Sequence, residues 1–151
     1  MNIKKMMSLI AFLSAAYFAY IQLPESIDSV TTDQTILDSS EVEQVLEAAF
    51  YNRTSDLQVE LTAVVSRVLP DDLKGSRHQR FIIELHSGLS LLIAHNIDVA
   101  PRVTDFRSGD RVTVYGEYEW NERGGVIHWT HRDKRGKHID GWIKHNDKIY
   151  D

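Results

Sequence analysis

The chain contains no cysteine. Neither a disulfide framework nor a thiolate metal centre is therefore available to it, and any metal would rest on nitrogen and oxygen donors. It also lacks any block of Lys and Arg that would make a face for duplex nucleic acid. Basic residues are nearly missing from residues 22–60, which hold nine acids and only one base, Arg53. Residues 61–151 hold thirteen acids and fourteen bases, so the formal net charge of -5 arises before residue 61. With 42% hydrophobic and 26% charged residues, the composition is that of an ordinary globular domain with a real core.

Lys4 and Lys5 precede an apolar run from Met6 to Leu23, broken only by Ser8, Ser14 and Gln22. A basic start followed by an apolar stretch is the form of a secretory signal, with Ser14-Ala15-Ala16 as a small-residue cleavage site. Left uncleaved, the run is long enough for a membrane span, and the flanking lysines would place the remainder outside the cytoplasm. Residues 1–23 are thus expected to be a signal peptide or membrane anchor, and the protein to be exported, periplasmic or anchored facing the periplasm. Residues 24–39 are acidic and aperiodic and read as a tether. Residues 40–151 read as the folded domain.

That domain opens with an amphipathic helix. Ser40 and Glu43 form a capping box, and Val42, Val45, Leu46, Ala49 and Phe50 recur at helical spacing. From Leu57 the period becomes two, with Val59, Leu61, Ala63 and Val65 on one face of a strand. After a loop over residues 70–76, Phe81, Ile83 and Leu85 mark a second strand. Ser87-Gly88 turns into a third, Leu89 to His95. A connection from Asn96 to Ser108 is expected to carry a helical turn after Pro101. Gly109-Asp110 opens a fourth strand, Asn121 to Gly124 forms a turn, and Gly125 to Thr130 is the fifth. Trp142–His145 and Lys148–Tyr150 suggest a final hairpin across Asn146-Asp147. The fold class is therefore mainly β: a small five-stranded, OB-like antiparallel barrel preceded by one helix.

The strongest chemical signal lies in residues 124–145, which hold four of the seven histidines: His128, His131, His138 and His145. A four-residue loop at 121–124 pairs Trp120 with Gly125, Tyr118 with Ile127 and Glu117 with His128. This register buries Val112, Val114, Tyr118, Trp120, Ile127 and Trp129 together, and a slip by one residue would reverse the faces. It leaves Tyr115, Glu117, Glu119 and His128 on the opposite face. Glu117 beside His128 is an acid/base pair, half a metal site or an exposed ion pair.

The HxxH spacing of His128 and His131 converges on a metal from a helix, not from a strand. A bend after Trp129 would be needed to bring His131 to His128. With Asp133 and His138 following, these four residues make a candidate site for zinc or another divalent transition ion. His78 and His95 join Glu117 and His128 as candidate catalytic groups. Arg77, Asn96 and Asp98 lie on loops at one rim, where ligand contacts gather. Tyr115 and Trp142 are the aromatics left to meet a ligand. They give nucleic acid only thin support. At least three of His78, His95, His128, His131, His138 and His145 are expected at one end of the barrel.

The phrases GSRHQRF, LLIAHNIDVAPR, GDRVTVYGEYEWN and GGVIHWTHRDKRGKHIDGWIKH together resemble a family of small bacterial proteins known as domain of unknown function 3465. The resemblance runs from Leu57 to Tyr150 and implies a bacterial source and export, without implying an activity. The chain departs from it at Asp133-Lys134, where Asp-Pro is expected, and at Asp147, where Gly is expected. A second, fold-level resemblance links VVSRVLPDD and LLIAHNIDVAP to thermonuclease-like OB domains. It implies Asp72 and Asp98 as calcium-holding acids, but no residue here matches that family's arginine and glutamate. The leading functional reading is a ligand-binding or interaction module of the bacterial envelope. The alternative is a metal-assisted hydrolase acting outside the cytoplasm.

Overall fold

The computed structural model describes residues 39–151. The expected signal or anchor, and all of the tether before Ser39, lie outside the described residues. Helix α1 (Ser39–Asn52) is followed by β1 (Leu57–Asp72), β2 (His78–Glu84), β3 (Ser90–Asn96), β4 (Arg111–Glu119), β5 (Val126–His128), β6 (Trp142–His145) and β7 (Lys148–Tyr150). Among the described residues no helix is long and apolar enough to cross a membrane.

Five strands close into a ring in the order β1-β2-β3-β5-β4, because β4 pairs back onto β1 from Leu57↔Tyr118 to Val64↔Arg111. The contacts are antiparallel except β3–β5, which run parallel through Leu92↔Val126 and Ile93↔Ile127. The period-two pattern decides what fills the ring. Val59, Leu61, Ala63 and Val65 face inward with Phe81, Ile83, Leu91, Ile93, Val112, Val114, Tyr118 and Ile127. Strand β1 runs past the expected end, through Pro70 to Asp72, and absorbs two register shifts against β2. Such bulges bend a strand, as a closing ring requires.

Helix α1 adds Val42, Leu46 and Ala49 to the same core, whereas Val45 is 42% exposed and lies off the buried stripe. Its C-terminus closes with Arg53 at φ 56, Arg53 N donating to Phe50 O at 3.3 Å and Thr54 N to Ala49 O at 2.9 Å. This pair of bonds satisfies carbonyls that a helix end otherwise leaves open. The Glu43 side chain of the expected capping box turns to a tertiary contact. The buried Glu43 carboxylate accepts from His86 N and from its Nδ1, each at 2.9 Å.

The turn expected after Pro101 comes before it, with Ala100 N donating to Asn96 O at 3.2 Å. The last hairpin forms as expected. Asn146 (φ 48) and Asp147 (φ 62) both take the left-handed conformation, so Asp147 fills a position that favours glycine.

One end of the interior is polar. Gln79 holds the connection by donating to Val103 O at 3.0 Å and accepting from Val103 N at 2.9 Å. His95, fully buried, bonds Pro101 O through Nε2 at 3.0 Å and Thr130 Oγ1 through Nδ1 at 2.9 Å. A carbonyl only accepts, so Nε2 carries the proton, and because burial disfavours a second proton Nδ1 is left to accept from the Thr130 hydroxyl. Burial pushes the His95 pKa down, the bond to Pro101 opposing it. The unfolded chain protonates His95 near its ordinary value of about 6.5, and the folded chain only at lower pH. The stability it contributes is thus complete above about pH 6.5 and declines as pH falls below that. The melting temperature should drop from about pH 7 to about pH 5, and His95→Gln should lessen the drop. Parallel curves for the two proteins would refute the assignment.

Candidate functional site

The site begins where β5 ends. The expected register holds: Glu117 faces His128, Tyr118 faces Ile127, and Glu119 faces Val126. The expected length of β5 does not. Trp129 adopts φ 52, a left-handed conformation that costs a bulky residue about 1 kcal/mol. The alternation breaks there, so Trp129 leaves the core position predicted for it and Thr130 turns inward to His95. Two glycines permit the crossing. A Cβ at Gly116 would stand 2.4 Å from His128 O, and one at Gly141 would stand 1.9 Å from Trp129 O.

Outside the ring, Trp129 stacks on His138 with centroids 4.1 Å apart and planes 8° from parallel. His138 Nδ1 bonds Ile139 O at 3.0 Å and Nε2 bonds the Glu117 carboxylate at 2.7 Å. Both acceptors require a proton on nitrogen, so the ring is an imidazolium. Burial alone would lower its pKa, but the bond to Ile139 O and the Glu117 carboxylate outweigh it and raise the value. Glu117 also has His128 Nε2 at 3.6 Å from its second oxygen, and Glu119 lies 3.9 Å from the same nitrogen. Across β1, Gln58 pairs with Glu117 in the register, and its two buried amide atoms have no hydrogen-bond partner among the described residues.

A cleft of about 460 Å³ opens beside this row. His78, Ala94 and Asn96 line it from β2 and β3, His128 from β5, and Trp129 with residues 131–135 from the following loop. The structure therefore brings His78, His128 and His131 around one space, with His138 held against Trp129 beside it. His95 lies inside the ring rather than in the cleft. His145 is buried elsewhere, 3.6 Å from Asp110.

Several expected assignments change. His131 is buried, its Nδ1 donating to Arg132 O at 2.9 Å, and it shares the cleft lining with His128 rather than the row with Glu117. Asp133 organises the loop instead of holding a metal. Its carboxylate accepts from the backbone N–H groups of Arg135, Lys137 and His138 at 2.9, 2.7 and 2.9 Å. These donors, Arg135 first, hold its pKa below the usual carboxylate range. Arg77 and Asp98 consume each other, with Nε donating at 2.6 Å and the Arg77 N–H at 2.7 Å. Asp72 accepts from Lys74 N at 3.0 Å and Asp71 pairs with Arg102, so these acids serve local structure. Tyr115 and Trp142 pair across β4 and β6, ring centroids 5.9 Å apart, away from the cleft lining.

Sequence reasoning put Glu119 on the face of Glu117 and His128 but gave it no role, and it missed Lys134 and Arg135. Lys134 and Arg135 could be placed only once the loop's return over the outer face was known.

His138 should titrate above the ordinary histidine value of about 6.5. A raised value stabilises the fold fully at low pH, and that stabilisation is lost as pH rises through the folded pKa. Long-range nitrogen–proton NMR should show Glu117→Gln lowering the His138 midpoint. A midpoint at or below 6.5 in the wild type would exclude the imidazolium pair.

A family model described as "Protein of unknown function (DUF3465)" matches residues 29–151. No curated protein matches the chain. The match takes in the whole ring, the final hairpin and the loop that closes the cleft, and the chain belongs to the DUF3465 family.

Proposed function

We propose that the protein is a ligand-binding module of the bacterial envelope, built on an OB-like barrel, and that its cleft takes a small anionic molecule. The observation that carries this reading is the charge of the cleft wall. Lys134 and Arg135 line it without an ion-pair partner among the described residues, and Arg132 is already matched by Asp151 at 2.7 Å. The only carboxylate in the lining, Asp133, is turned to backbone N–H groups. His78, Asn96 and His128 add further polar groups, and the volume suits a small ligand. Phosphate or carboxylate groups would gain charge-assisted hydrogen bonds there.

Titration calorimetry with inorganic phosphate, pyrophosphate and citrate tests this. At least one should bind, and Lys134→Gln with Arg135→Gln should weaken it about tenfold or more. Absence of binding by all three, or equal binding by the double variant, would remove the reading.

One observation favours the metal-assisted hydrolase as the second reading. His128 belongs both to the cleft lining and to the row with Glu117 and Glu119. An ion on that row would stand beside a bound phosphoryl group.

Export rests on the basic start and apolar run of residues 1–23. A reporter that works only in the periplasm, fused after Asp151, should be active. Activity of a cytoplasm-only reporter at the same point would refute export.

A further inference from the structure

We infer that Glu117, Glu119 and His128 form a binding site for a first-row divalent transition ion of the zinc class, with His138 orienting Glu117 from outside. One donor atom from each of the three residues lies within 4.8 Å of the others. All three stand on strands rather than loops. Glu117 and His128 face each other across β4 and β5, and Glu119 follows two residues on, so the alternation puts them on one face.

The separations fit an ion better than a hydrogen-bonded cluster. His128 Nε2 stands 3.6 Å from Glu117 and 3.9 Å from Glu119, too far for a hydrogen bond to either. Nitrogen and oxygen ligands around a tetrahedral zinc ion lie about 3.3 Å apart. The two distances from His128 Nε2 exceed that spacing by about 0.3 and 0.6 Å, and the two carboxylate oxygens, within 4.8 Å of each other, close onto the ion by side-chain rotation. A second observation is independent of distance. His128 Nε2 is buried and has no hydrogen-bond partner among the described residues. A buried polar atom left unpaired costs free energy, and an ion accepting that lone pair would remove the cost.

The donor set selects the ion. One imidazole and two carboxylates, with no thiolate in the chain, suit zinc, cobalt or manganese. Calcium and magnesium prefer oxygen alone. His138 supplies the outer support common to such sites. It donates to Glu117 Oε2 at 2.7 Å, which leaves Oε1 turned to His128. Stacking on Trp129 fixes the imidazole plane. His128 reaches the cleft, so coordination positions not filled by protein would face that space.

These atoms differ from the cations proposed to hold an anion, so phosphate binding can fail without touching this inference. The test uses the full chain purified without a histidine tag. Zinc calorimetry should give one ion per chain, and Co(II) should develop visible ligand-field absorption. Glu119→Gln and His128→Ala should each weaken zinc by about tenfold or more. His138→Gln should weaken it by roughly tenfold, as outer-shell changes do. His86→Gln, exposed between β2 and β3 and outside both the cleft and the set, should leave it unchanged. Circular dichroism checks that each variant folds, and the half-exposed Glu119 gives a variant that tests the site even if His128→Ala does not. No zinc binding would overturn the inference. So would zinc held equally by Glu119→Gln, which would send the ion to other histidines.

Discussion

The left-handed turn at Trp129 governs most of what surrounds it. By stopping β5 after three residues, it vacates the edge of β4 beyond Glu117. Strand β6 takes that edge at Thr113–Tyr115, so β4 serves three partners. The same turn sends Thr130 to the interior, where it satisfies His95, and puts the indole outside, where it seats His138. Without the close approaches at Gly116 and Gly141 the crossing segments could not pack this tightly.

The parts of the fold governed by alternation were readable from the residues. Tyr118, Ile127 and the Glu117–His128 pairing follow from the need to bury one face of each strand. The exceptions arise where a backbone angle, not a side chain, decides. Nothing in Trp129 as a residue announces φ 52, so extending the alternation placed it in the core. His95 is the opposite case, since it shares parity with Leu91 and Ile93 and belongs inside on that ground. Its chemistry as a histidine obscured its position. Asp133, expected among metal donors, has its carboxylate turned to the backbone of its own loop. An Asp followed by a tight loop finds backbone N–H donors more readily than an ion.

The two faces of the ring wall divide polar chemistry in different ways. Inside, Gln79, His95 and Thr130 are fully bonded, and the histidine stays neutral. Outside, Glu117 stands among two imidazoles and another carboxylate, in a setting with fewer completed bonds. The first arrangement specifies how the connection from Asn96 to Ser108 lies across one end. The second leaves valences available to something other than the protein.

The closure of β4 onto β1 also bears on the order in which the molecule assembles. Hairpins β1–β2 and β2–β3 join neighbours along the chain and need only short loops to close. The pairing of Leu57 with Tyr118 joins residues far apart in sequence, and its loop entropy is met only when much of the chain is already collapsed. Strand β4 then becomes the most connected element, bonded to β1 along one side and to β5 and β6 along the other. The amides of this doubly flanked strand should therefore exchange with solvent more slowly than those of the edge strand β7.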